Sequence, residues 1–157
     1  MMNIYDFKAT EVSGQPIDFS DYKGKVIIVV NTASKCGFAK ELKGLEALYK
    51  EYHQDGLEVV GFPSNQFRQE LSSSKKASQY CKMHYGVTFP MTTMVKVNGK
   101  DAAPIFKYLK KESGHGFIKW NYTKFLIGRN GKLIHRYATP VMPKKMEPAI
   151  VKALQTK

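Results

Sequence analysis

"KVIIVVNTASKCGF", Lys25 to Phe38, decides how the chain is read. Its first part is a continuous β-branched run of the kind buried on both faces of a sheet; the rest turns polar and carries one of only two cysteines. A helix pattern follows, with Leu42, Leu45, Leu48 and Tyr49 recurring at helical spacing up to Tyr52. "GLEVVGF", Gly56 to Phe62, is a second buried strand after a glycine break, which makes the first half of the chain a strand, helix, strand unit. In open α/β sheets chemistry gathers outside the carboxyl ends of the strands, where the next helix begins, and Cys36 falls there. A helix N-terminus offers unpaired N–H groups and partial positive charge, and Lys35 adds charge of the same sense, so a sulfur at this place is expected to react as a thiolate. The plainer alternative is an inert buried cysteine.

The remaining stretches extend this pattern. Residues 1–24 place short apolar pieces around "VSGQP" and "DYKGK", which predicts an opening strand or hairpin. Residues 73–84 predict a second helix with a serine N-cap and Cys81 in its last turn. "FPMTTMVKV" predicts a third strand before a turn at "NGKD", and Ala103 to Glu112 a helix starting near Pro104. "KFLIGRNGKLIHRYA" is a β-hairpin around "RNG", and a last helix runs from about Lys145 to Leu154. The order β, α, β, α, β, α, β, β, α predicts an α/β protein with a thioredoxin-like fold. That fold has a central mixed β-sheet flanked by helices on both faces, here with an N-terminal β-hairpin, all in a single domain spanning residues 1–157.

Composition narrows the classes. With 43% hydrophobic and 24% charged residues the chain is of the folded, soluble kind, and no segment approaches the roughly 20 apolar residues that span a bilayer. The opening "MMNIYDFKATEVSG" has no apolar block behind a basic start, so we expect no signal peptide and a cytoplasmic protein. The net charge of +12 invites a nucleic-acid reading, yet the lysines are dispersed in short pairs such as Lys75-Lys76 and Lys110-Lys111. A solvated basic surface able to steer acidic partners is expected, with no specific nucleic-acid site. Two cysteines do not make a disulfide framework, and His53, His84, His115 and His135 show no ligand spacing with them, so neither metal nor cofactor is expected.

Four blocks, "VVNTASKCGF", "GLEVVGFPSNQF", "YGVTFPM" and "IKWNYTKFLIGRNGK", together resemble the glutathione peroxidase family in its cysteine form, in order from about Ile4 to Leu154. The resemblance implies that Cys36 is the peroxidatic residue, attacking the peroxide O–O bond to give a sulfenic acid, and that a Gln, a Trp and an Asn surround the sulfur. Trp120 and Asn121 of "KWN" match directly. Their N–H donors can hold a thiolate or polarise a peroxide without titrating. The family pattern has asparagine, glutamine, phenylalanine, glycine, any residue, glutamine, glutamate, whereas "NQFRQE" is one residue short. Gln69, followed by Glu70, is the candidate for the catalytic glutamine, with Gln66 as competitor. "GFAKEL" after the cysteine also departs from the family's glycine, phenylalanine, threonine, proline.

By the same resemblance Cys81 stands where many bacterial, yeast and plant members carry a resolving cysteine, while Ser64 occupies a place where many have another. The implied cycle joins Cys36 and Cys81 in a disulfide that thioredoxin reduces, after local unwinding of the Cys81 helix, with hydroperoxides as substrates and a monomer as the working form. The alternatives are a one-cysteine, glutathione-dependent peroxidase and a peroxide sensor that relays its disulfide. A thiol-disulfide oxidoreductase would need two cysteines separated by two residues, and Cys36 is followed by Gly37, Phe38 and Ala39.

Overall fold

The computed structural model describes residues 2–114 and 116–156; His115, one of the four histidines surveyed above, lies outside them. The elements in chain order are β1 (Lys8–Thr10), β2 (Pro16–Asp18), β3 (Val26–Thr32), α1 (Glu41–Tyr52), β4 (Leu57–Pro63), α2 (Ser74–Tyr85), α3 (Pro104–Glu112), β5 (Lys124–Ile127), β6 (Leu133–Tyr137) and α4 (Glu147–Gln155). The β-branched run thus forms β3, and every one of its residues is buried. β3 lies inside a four-stranded sheet of order β4, β3, β5, β6. It pairs parallel with β4, from Val26 opposite Leu57 to Thr32 opposite Pro63, and antiparallel with β5. The parallel pair requires a crossover, which α1 provides. The β5–β6 hairpin closes the sheet on the other side.

Alternation along β3 sends Val26, Ile28 and Val30 into one core and Ile27 and Val29 into the other. The first core is covered by Leu42, Leu45 and Leu48 of α1 with Ile150 and Ala153 of α4. The second is covered by Ile105, Phe106 and Leu109 of α3 and by the amino-terminal segment through Ile4, Phe7, Ile17 and Phe19. The mixed sheet with helices on both faces and the antiparallel β1–β2 hairpin are as the sequence predicts.

Two local expectations are corrected. The predicted third strand, "FPMTTMVKV", is no strand: it forms only isolated bridges, Met91 to Gly61 and Thr92 to Glu11. Pro90 has no N–H to donate, and the amides that follow are shared between partners. Thr92 donates to Gly61 and Val95 to Pro63 on one side, while Thr93 donates to Thr10 on the other. A Cβ on Gly61 would lie 2.5 Å from the Met91 sulfur, so this close approach requires glycine. The second correction concerns Cys36, which does not sit at a helix N-terminus. The helix proper begins at Glu41, and residues 36–40 form consecutive turns in which Ala39 N–H donates to Cys36 O and Glu41 N–H to Phe38 O. Lys40 at the N-cap makes no side-chain cap, and no Ser, Thr, Asp or Asn stands between Lys35 and Lys40 to provide one.

One ion pair in the core was not anticipated. Lys124, the first residue of β5, bonds Glu41 at the start of α1, with both side chains fully buried, and also donates to the carbonyls of Val141 (2.6 Å) and Thr139 (3.3 Å). Burial pushes the Glu41 carboxyl up to about 7, with the bond to Lys124 pulling the other way. It pushes the Lys124 ammonium down, again opposed by its partner. Removing one member leaves the other charged and unpaired, so Lys124→Ala is expected to lower unfolding free energy by about 3–5 kcal/mol in urea denaturation, with Glu41→Gln/Lys124→Met recovering most of it.

Arg68 and Tyr122 are the two non-glycine residues at positive φ among those described, at 60° and 61°. Arg68 follows Phe67, where the family pattern has glycine. The left-handed conformation costs a residue with a Cβ about 1 kcal/mol, so Arg68→Gly is expected to raise the melting temperature slightly, by the equivalent of at most about 0.5 kcal/mol after the entropy glycine adds to the unfolded chain.

Candidate functional site

The site is assembled where β3 ends. Asn31, fully buried inside an otherwise apolar run, spends its whole carboxamide and its carbonyl on one distant turn. Its Nδ2 donates to Trp120 O (3.2 Å), its Oδ1 accepts from Thr123 N–H (3.0 Å), and its carbonyl accepts from Tyr122 N–H (2.7 Å). Tyr122 returns the tie: its hydroxyl donates to Ala33 O at 2.9 Å and faces the Ala33 amide at 3.3 Å. The turn over residues 120–123 is thereby stitched to the chain leading into Cys36. Neither Asn31 nor Tyr122 was singled out from the sequence; the available signal was an amide side chain near the end of "VIIVVNT".

Cys36 is 6% exposed, and its Sγ accepts from Phe38 N–H at 3.4 Å. The hydrogen bond to sulfur therefore comes from a local turn amide and not from a helix end. Trp120 packs against the core that contains Cys36 and meets Phe67 with ring centroids 5.3 Å apart. Trp120 and Phe38 together line a groove of about 480 Å³, walled also by Phe117, Ala138 and Pro140. Asn121 is fully buried, and neither its Oδ1 nor its Nδ2 has a hydrogen-bond partner, although its carbonyl accepts from Thr139 Oγ1. A buried carboxamide is ordinarily satisfied, and this one is left without a partner among the described residues.

The loop over residues 64–71 separates the two glutamine candidates. Gln66 turns away: its Oε1 accepts from Val97 N–H (2.5 Å) and Asn98 N–H (2.8 Å), and its Nε2 donates to Asn98 O (2.9 Å). Gln69 lies on the Cys36 side, where its carbonyl accepts from Lys35 N–H at 2.7 Å, and its carboxamide makes no hydrogen bond among the described residues. The next residue, Glu70, is 4% exposed. Its Oε1 accepts from Ser34 N–H (3.0 Å) and Leu71 N–H (2.8 Å), while Oε2 has no partner. Consecutive residues 69 and 70 thus hold the consecutive amides of residues 34 and 35.

Cys81 is on α2 and completely buried, in the same core as Cys36; both are free thiols. Burial, and after it the charge of Glu70, push its thiol up to about 12, with the Ser34 hydroxyl working in the opposite direction. The Tyr122 phenol is held well above its ordinary value, first by burial and then by Cys81, with Glu70 and Cys36 adding to it. One tyrosine ring therefore stands among both sulfurs and the buried carboxylate. As folded, Cys81 is a sealed, protonated thiol.

A sulfur just beyond a strand end that accepts a backbone N–H, with neutral amides on the neighbouring turn and loop, suits attack on a polar bond whose leaving oxygen must be received. The family model for glutathione peroxidase matches residues 4–110. The glutathione peroxidase of Lactococcus lactis is 51% identical over 98% of this chain and 100% of its own. The glutathione peroxidase-like peroxiredoxin gpx1 of Schizosaccharomyces pombe is 45% identical over 98% and 100%. Among solved structures, that of Trgpx in apo form matches with a TM-score of 0.81 at 40% identity, covering 99% of this chain and 97% of the other. Matches that run nearly the length of the chain, on this fold, lead to one assignment: this protein belongs to the glutathione peroxidase family and is a thiol peroxidase.

Proposed function

We propose that the protein reduces hydrogen peroxide and organic hydroperoxides through Cys36, with Gln69, Trp120 and Asn121 as the groups that receive charge. The Cys36 thiolate attacks the nearer peroxide oxygen; the O–O bond breaks, Cys36 becomes a sulfenic acid, and the departing oxygen takes up a proton to leave as water or an alcohol. The observation that carries this reading is the buried Asn121 carboxamide with both of its polar atoms unspent. Its Nδ2 can donate to the developing oxyanion. Trp120 supplies an indole N–H and Gln69 a carboxamide, neither of which makes a hydrogen bond among the described residues. The half-open groove beside Trp120, apolar along Phe38, Phe117 and Pro140, can seat the organic part of a hydroperoxide. A hydroperoxy fatty acid reductase of Synechocystis, 43% identical over 96% of this chain, supports that range.

Cys81 then resolves the sulfenic acid: its thiol condenses with Cys36, one S–S bond forms, and water leaves. Thioredoxin reduces that disulfide through a mixed disulfide; the peroxiredoxin names of the fission yeast and budding yeast relatives support a dithiol donor over glutathione. The working form is a monomeric single domain in the cytoplasm. α2 must unwind for the reaction, because Cys81 is sealed in the core as folded.

Two measurements test the scheme. Asn121→Ala is expected to lower kcat/KM for hydrogen peroxide by about 10²–10³, the loss typical of a missing oxyanion donor, with an unchanged melting curve; an effect below threefold would remove Asn121 from the mechanism. Intact-mass and peptide analysis of reduced protein after one equivalent of hydrogen peroxide is expected to show loss of two hydrogens, mapped to a Cys36–Cys81 bond. Oxygen addition confined to Cys36 would instead make an external thiol such as glutathione the donor.

A further inference from the structure

Gln66 and Asn98 are two carboxamides joined in series. Gln66 is exposed, where water would ordinarily take its hydrogen bonds, yet both polar atoms of its side chain are spent on main chain 31 and 32 residues ahead. Its Oε1 accepts from Val97 and Asn98 N–H, and its Nε2 donates to Asn98 O. Asn98 passes the connection on. Its side chain is buried; Oδ1 accepts from Ile118 N–H (2.9 Å) and Nδ2 donates to Ile118 O (2.7 Å), with Lys110 of α3 also reaching Oδ1 (3.3 Å). Ile118 stands two residues before Trp120, and Phe67, the neighbour of Gln66, meets the Trp120 ring. The path from Gln66 through Asn98, Ile118 and Trp120 to Phe67 therefore closes on itself.

This circuit joins two segments that the other contacts hold separately. Asn31 ties the 120–123 turn to β3, and the carbonyl of Gln69 with the carboxylate of Glu70 ties the far half of the 64–71 loop to residues 34 and 35. The bonds of Gln66 and Asn98 run directly from the loop to the chain entering the turn. Val97 and Ile118, which receive them, lie in the second core together with Leu109 of α3, so the relay is anchored in a packed frame. We propose that Gln66 and Asn98 are positioning residues that set the spacing between the Gln69 loop and the Trp120 segment, and with it the alignment of both neutral donors on the peroxide. The proposal rests on the charge-receiving roles given to Gln69 and Trp120 above. Two donors serve one leaving oxygen only while their placement is held to well under about 1 Å. Gln66 touches neither the sulfur nor the peroxide, and the bond chemistry at Cys36 is unchanged by it.

The test breaks the relay at its exposed end. Gln66→Leu keeps a side chain of similar bulk and makes none of the three bonds. The second-order rate constant of the reduced protein with hydrogen peroxide is expected to fall by about tenfold, short of the roughly 100-fold that a 1 Å misplacement can cost. Trp120 is the single tryptophan of the chain, so its fluorescence reports this segment alone; its emission is expected to shift to the red in the variant. Asn98→Ala breaks the second link and is expected to give the same shift and the same loss; Asn98 is buried, so Gln66→Leu carries the test if that variant does not fold. A double-mutant cycle separates positioning from general loop support. With Gln69 already replaced by Ala, adding Gln66→Leu is expected to cost less than about threefold. An unchanged rate and emission in Gln66→Leu would overturn the inference, as would the same tenfold loss with and without Gln69. A rate for Gln69→Ala alone within about threefold of the parent would overturn the role of Gln69 beneath it, and is read from that variant without the others.

Discussion

The carboxamide of Asn31 is the interaction on which the rest of the site depends. A polar side chain near the end of a fully buried strand is costly unless it is hydrogen-bonded, and here Nδ2 and Oδ1 each bond a backbone atom of the 120–123 turn. The benefit is positional. β3 is an inner strand of the sheet, held by β4 on one side and β5 on the other, so whatever is bonded to its end inherits that rigidity. The turn with Trp120 and Asn121 does so directly, and the chain leading to Cys36 does so through Tyr122. The Glu41–Lys124 pair repeats the logic from the other end, joining the start of α1 to the first residue of β5 and to the carbonyl of Thr139, whose own hydroxyl holds Asn121.

Much of this was legible along the chain because it depends on neighbours in sequence. The β-branched run, the leucine spacing of α1, Ser73 as a cap, Pro104 at a helix start and the "RNG" turn each announce their element through local chemistry. The errors have the same origin. "FPMTTMVKV" has strand composition, yet its amides are divided between β4 and the amino-terminal hairpin, a competition that composition does not reveal. The turns between Cys36 and Glu41 replaced an expected helix start because the residues there cannot cap one. Asn31, Glu70, Tyr122 and Lys124 were missed as site-builders because their partners lie 36 to 92 residues away. The choice between Gln66 and Gln69 likewise needed the fold, since only there is Gln66 seen spent on the backbone of residues 97 and 98.

The two sulfurs have opposite surroundings. Cys36 is on a turn held by backbone amides at a strand end, while Cys81 faces inward from a helix fixed by three small residues. Stability is distributed accordingly, with apolar burial concentrated in the sheet and its outer helices α1, α3 and α4, and little of it invested in α2. Under the proposed two-cysteine cycle this contrast would let Cys81 move while the frame that holds Cys36 stays in place.

The anchoring of the 120–123 turn has a bearing on how the protein can diversify. Asn31 grips the main chain of Trp120, Tyr122 and Thr123, and Thr139 grips the main chain of Asn121, so the position of the turn is largely indifferent to what the surrounding groove is made of. Phe117, Ala138 and Pro140 line that groove without being named in any of those bonds. The main-chain bonds that place the turn are therefore separate from the side chains of Phe117, Ala138 and Pro140 that wall the groove. Single substitutions at the groove walls can thus reshape what the groove admits while the turn keeps its place.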